Sequence, residues 1–97
     1  MNRDTVLKLL SEHREEVRER YGARRLALFG SAARDELRDD SDIDVLVEFE
    51  GPATFDGYFD LKTRLEELFG RPVDLVTEKG LKPRARRHVE QDLIRVA

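Results

Sequence analysis

Apolar positions change their period along the chain, and each change marks an element. Val6, Leu7, Leu10, Val17 and Tyr21 recur at helical spacing, which predicts an amphipathic helix over residues 4–20, with Asp4 as N-cap and Gly22 as stop. Leu26-Ala27-Leu28-Phe29 is a continuous apolar run and reads as a buried strand leading straight into Gly30-Ser31; Ala32 to Leu37 reads as a short helix. Ile43 to Phe49 is a second strand, and Gly51-Pro52 breaks the chain after it. Leu61, Leu65, Leu68 and Phe69 mark a helix from about Thr54 to Phe69, closed by Gly70; the stretch from Gly51 to Gly57 also suits a flexible loop over a site. Arg71-Pro72 leads into a third strand, Val73 to Val76. Pro83 fits the first turn of a last helix running to Val96, with Val89, Leu93, Ile94 and Val96 on its apolar side. The expected order is α-β-α-β-α-β-α, an α/β fold in which a small sheet packs against helices, in a single domain over residues 1–97.

Composition narrows the class. A chain of 97 residues, 39% of them apolar, buries a modest core. It contains no cysteine, so neither a disulfide framework nor a thiolate metal site is available. No stretch approaches the length of a membrane span, and Met1-Asn2-Arg3-Asp4 begins without an apolar signal region; the cytoplasm of a microbe is the expected compartment. Net charge is −3, but it is segregated: eight acids against Arg38 between Asp35 and Glu50, and six bases against Glu90 and Asp92 from Lys79 to Ala97. Two solvated faces account for such runs; so does an acidic block that holds metal beside a basic tail that meets an anionic ligand or partner. A net acidic chain is a poor general binder of nucleic acid, and no direct nucleic-acid binding is expected.

The chemistry concentrates at Gly30-Ser31, followed after ten residues by Asp42-Ile43-Asp44. Side chains alternate along a strand, so Asp42 and Asp44 share one face while Ile43, Val45 and Val47 enter the core. A third acid, Asp74, interrupts the apolar strand Val73-Asp74-Leu75-Val76. Adjacent carboxylates repel when ionised, and a divalent cation removes that penalty. Hard oxygen donors without His or Cys favour Mg2+, with Mn2+ as the alternative, over zinc. If the two strands are neighbours, the three acids form one cluster, and Asp74 can also accept a proton from an incoming hydroxyl. Gly30 lets backbone approach a phosphate, and Ser31 stands at a helix start, where it can bind an anion, cap the helix, or both. Arg34, one turn on, either reaches a phosphate or pairs with a nearby acid. Ser41 either orients the loop before Asp42 or is an ordinary turn residue.

Other chemistries fit poorly. The chain lacks a Gly-x-x-x-x-Gly-Lys-Ser/Thr loop, and Gly30-Ser31-Ala32-Ala33 lacks the second glycine of a nucleophile elbow. His13 and His88 have no metal-ligand spacing; His13 reads as a surface residue of the first helix and His88 as a candidate partner contact.

Gly30, Ser31, Asp42, Asp44 and Asp74 together match the motif of the DNA polymerase beta-like nucleotidyltransferase superfamily. The run from Phe29 to Arg34 with Ser41-Asp42-Ile43-Asp44 resembles its minimal nucleotidyltransferase branch. The resemblance covers nearly the whole chain. It implies a mixed sheet, Mg2+, a nucleoside triphosphate held by Gly30, Ser31, Arg34 and Ser41, and nucleotidyl transfer to a hydroxyl, with Asp42, Asp44 and Asp74 as catalytic and metal-binding residues. Minimal members are commonly antitoxins that add AMP from ATP to a tyrosine of a HEPN-domain ribonuclease toxin. A non-catalytic module that neutralises its partner by steric cover is the alternative. The last helix, Phe55, Tyr58 and Phe59 are candidate partner contacts, with core packing favoured for at least two of these aromatics.

Overall fold

The helix expected over residues 4–20 forms as two. In the computed structural model, which describes residues 1–96, the chain runs α1 (Arg3–Glu12), α2 (Arg14–Tyr21), β1 (Ala23–Phe29), α3 (Gly30–Ala33), β2 (Ile43–Phe49), α4 (Phe55–Phe69), β3 (Val73–Thr77), α5 (Pro83–Gln91) and β4 (Ile94–Arg95). Ala97, the last residue of the expected domain, lies outside the described residues. The break falls at half-buried His13, whose ring Nδ1 lies 2.8 Å from the Leu9 carbonyl. It lets Val6 and Leu10 from one helix and Val17 from the next all enter the core. The N-cap is Asn2, whose side chain accepts from the Thr5 N–H, rather than Asp4. Gly22 ends α2 as expected.

The four strands form one mixed sheet in the order β3-β2-β1-β4. β2 runs parallel to β3 and antiparallel to β1; β4 runs antiparallel to β1. β4 replaces the end of the expected last helix, which stops at Gln91. Leu93-Ile94-Arg95-Val96 alternates as a strand does: Ile94 and Val96 pack on the main core, Leu93 on the other face, and Arg95 is exposed. The short helix after Gly30 is also shorter than expected, ending at Ala33, and α4 starts at Phe55 on a Thr54 cap, leaving only residues 50–54 as loop before it.

The sheet separates two apolar layers. On one side Leu28, Ile43, Val45, Val47 and Leu75 pack against Val6, Leu10, Val17, Leu61 and Leu65 from α1, α2 and α4. On the other, Ala27 and Leu46 are covered by Val89 of α5. Leu65 is fully buried in the larger layer, so Leu65→Ala is expected to cost about 2–5 kcal/mol, read as a shift in the urea midpoint at unchanged slope. Among the described residues no helix is long and apolar enough to cross a membrane.

Candidate active site

The site lies where the apolar strands meet polar residues on the α5 side of the sheet. β1 ends at Phe29, which is paired in register with Asp44 on β2, and Asp44 is paired with Asp74 on β3. Parallel pairing of β2 and β3 brings together two acids thirty residues apart in sequence. Strand alternation puts Ile43 and Val45, and Val73 and Leu75, into the core on the opposite face.

Gly30 turns the chain out of β1 with φ of 67°. A β-carbon there would stand 2.1 Å from Asp44 Oδ2, closer than any real contact allows. The carboxylate thus occupies the space that a side chain at position 30 would need. Ser31 lies within the first turn of α3, half-buried. It does not cap that helix, whose N-cap position is Phe29 and has no side-chain hydrogen bond. With four residues, α3 offers its first N–H groups rather than a long dipole.

Asp44 is half-buried, and its carboxyl is pushed up to about 6. Burial is the main cause, followed by the negative charges of Asp74 and Asp42 and a side-chain hydrogen bond with Asp74; the Arg34 guanidinium opposes them. Asp74 itself is exposed at the edge strand, open to a group arriving from solvent. Asp42 is exposed and immediately precedes β2 instead of lying within it. Asp44 and Asp74 are thus side by side, while Asp42 acts on them from the start of the strand. Among the described residues no three acids or histidines stand in metal-binding geometry in this conformation.

Arg34 adopts the acid-paired alternative: its Nε donates to Glu36 at 3.0 Å and its Nη1 to Asp92 at 2.8 Å. Ser41 orients the loop before Asp42, its hydroxyl accepting the Arg38 N–H at 3.1 Å. Two supporting residues carry no signal in the sequence. Arg71 donates to the carbonyls of Arg38 and Ser41, at 3.0 and 3.3 Å, fixing the approach to Asp42. Asp92 steers Arg34 from the end of α5. Both act over long sequence separations, and neither sits in a local pattern that would reveal it.

The expectation for the aromatics of α4 is corrected. Phe55 is 77% and Phe59 43% exposed, and the two rings pack against each other at a tilt of 50° with centroids 4.6 Å apart. Only Tyr58 packs on the core, donating its hydroxyl to the Leu75 carbonyl. Asp56 and Asp60, which follow Phe55 and Phe59 directly, are likewise exposed at this end of the helix.

A profile described as nucleotidyltransferase domain matches residues 10–96. The chain belongs to that family and is a nucleotidyltransferase, of the minimal branch. It is 37% identical over 93 residues to the protein adenylyltransferase MntA of Thermococcus cleftensis, covering 96% of this chain and 94% of that one. A solved minimal nucleotidyltransferase superposes with a TM-score of 0.81 at 44% identity, over 97% of this chain and 95% of the other. A chain from the structure of a tri-AMPylated Shewanella oneidensis HEPN toxin in complex with MNT antitoxin superposes with a TM-score of 0.69 at 17% identity, over 94% of this chain and 71% of that one. At that identity the likeness concerns the fold.

Proposed function

We propose that this chain transfers AMP from ATP to a tyrosine hydroxyl of a HEPN-type toxin encoded beside it, and so acts as its antitoxin in the cytoplasm. The observation that carries the reading is the line from Gly30, the residue after β1, through Asp44 on β2 to Asp74 on β3: a backbone cradle, a crowded carboxylate, and an exposed carboxylate at the sheet edge. The name of the Thermococcus relative and the AMPylated toxin of the Shewanella complex support the chemistry and the partner class.

The residues fit a divalent cation. All donors are hard oxygens, and Asp44 is held up by burial and by its acidic neighbours, a penalty that a cation relieves. Asp42, Asp44 and Asp74 would hold Mg2+ or Mn2+, Asp42 closing onto the pair from its exposed position. When bound, such an ion neutralises the carboxylates and offsets charge developing on the phosphate oxygens. The backbone at Gly30 and the hydroxyl of Ser31 hold the triphosphate. Arg34 adds positive charge at its edge by exchanging one of its acid partners for phosphate. Ser41 and Arg71 hold the loop that presents Asp42. Asp74 takes the proton from the acceptor hydroxyl as that oxygen bonds to the α-phosphorus. The bond from the α-phosphorus to the bridging oxygen breaks, and pyrophosphate leaves with its electron pair.

The test combines the purified chain, Mg2+, ATP and the adjacent HEPN-type protein, read by intact-mass spectrometry. AMP adducts on the partner are expected, and none with Asp42→Ala/Asp44→Ala. A tight complex without adduct overturns the enzymatic reading in favour of steric cover.

A further inference from the structure

The catalytic face also carries a charged surface that the chemistry does not use. α5 packs on the same side of the sheet as Asp44 and Asp74: Leu46 and Val76, each two residues beyond one of these acids, belong to the layer that Val89 of α5 covers. The helix ends beside the site, since its C-cap Asp92 holds Arg34, whose charge is felt at Asp44. Its outward side shows Arg84, Arg87, His88 and Gln91 at i, i+3, i+4 and i+7, all exposed. The acids of this region are mostly consumed elsewhere. Glu78 is bound to Arg86, and Asp92 to Arg34, while Glu90 is exposed. Arg84 and Arg87 make no ion pair among the described residues.

Across the sheet the order is Asp74 on β3, Asp44 on β2, and Phe29 at the end of β1, with Gly30 the next residue. A triphosphate seated at Gly30 occupies the β1 side, which leaves the open edge at β3 to the acceptor. α5 runs from Arg86, paired with Glu78 just past the end of β3, back to Asp92 beside the site, so a macromolecule that presents a hydroxyl to Asp74 and extends along the α5 side of the sheet also covers the basic stripe. From this juxtaposition we infer that Arg84 and Arg87 form a docking surface for the acceptor protein, and that the acceptor carries an acidic surface beside its target hydroxyl. The inference rests on the transfer reading for the identity of the acceptor, but concerns binding.

The stripe is wholly exposed, so charge reversal leaves the fold intact. With the adjacent HEPN-type protein as probe, Arg84→Glu/Arg87→Glu is expected to weaken complex formation, measured by titration calorimetry, about 10- to 100-fold and to remove much of its salt dependence. KM for the protein acceptor rises with it, while KM for ATP stays at its wild-type value. Arg84→Lys/Arg87→Lys keeps most of the affinity. Unchanged affinity in the charge-reversed variant overturns the proposal, and so does a rise in KM for ATP, which assigns the stripe to the nucleotide. Failure of the transfer reading is separately visible: no AMP adduct forms with wild-type protein, whereas the calorimetric comparison still decides the docking surface.

Discussion

Asp44→Asn is expected to abolish AMP transfer and, at the same time, to stabilise the metal-free protein at neutral pH. The two effects share one cause. Asp44 is half-buried between Asp74 and Asp42, and its carboxyl is pushed from 3.8 up to about 6. Between about pH 4 and pH 6 the folded chain therefore holds a proton that the unfolded chain has released. Wild-type stability is favoured by this group at low pH and falls as pH rises through that window; the full penalty is present above it. The shift alone corresponds to about 3 kcal/mol, and partial exposure reduces this to roughly 1–2 kcal/mol. Asparagine keeps the shape and carries no charge at any pH. Thermal unfolding above about pH 7 should then show the variant melting higher by about 4–8 °C for each kcal/mol recovered. The wild-type-minus-variant difference should flatten below about pH 3, where the Asp44 carboxyl is neutral in either state. Addition of Mg2+ should raise the wild-type melting temperature and leave the variant nearly unmoved. Adduct formation should fall by at least about 10³-fold, the scale of losing a charge-stabilising group at a reacting centre. Equal pH profiles for the two proteins, or transfer retained by the variant, contradict the assignment of Asp44.

Which features were legible in the sequence follows from the range over which each is determined. Ile43 to Phe49 is an apolar run bounded by polar residues and forms with its expected bounds; Thr54 to Phe69 carries a cap, a helical period and a terminal glycine, and forms with its boundary shifted by one residue. The pairing of Asp44 with Asp74 was visible only as a conditional, because the sequence places both acids in apolar strands but does not make those strands neighbours. The parallel register supplies that step. Residues 92–96 misled because Val89, Leu93, Ile94 and Val96 satisfy a helical period as well as a strand does. The exposed β1 edge decided between them by offering hydrogen bonds, such as that from the Val96 N–H to the Leu26 carbonyl. The break at His13 has no glycine or proline to announce it. Core packing of at least two among Phe55, Tyr58 and Phe59 fails because aromatic residues are usually read as core, while their helix turns only Leu61, Leu65 and Phe69 fully inward and only Tyr58 packs against them.

Gly30→Ala is the substitution with the largest expected effect from a single added carbon. Two constraints meet at this residue. Its φ of 67° lies where an L-residue carries strain of about 1–2 kcal/mol, and the new methyl would stand 2.1 Å from Asp44 Oδ2. Backbone strain alone lowers stability modestly and leaves chemistry in place. The steric clash acts differently: Asp44 must swing away from Gly30, and the carboxylate loses its alignment with Asp74 and with the phosphate cradle. A displacement on the order of 1 Å at a reacting centre costs about 10²-fold in rate, so adduct formation should fall at least that far while the protein remains folded. The two contributions separate in a double-mutant cycle. With Asp44→Ala in place the Oδ2 atom is gone and the nearest remaining atom of that residue, Cβ, lies 3.3 Å away. In that background Gly30→Ala should carry only its backbone term, and the melting temperatures of the four proteins should be non-additive by the energy of the clash. Additive melting temperatures would mean that the glycine serves the turn alone, and that the contact with Asp44 does not position the carboxylate.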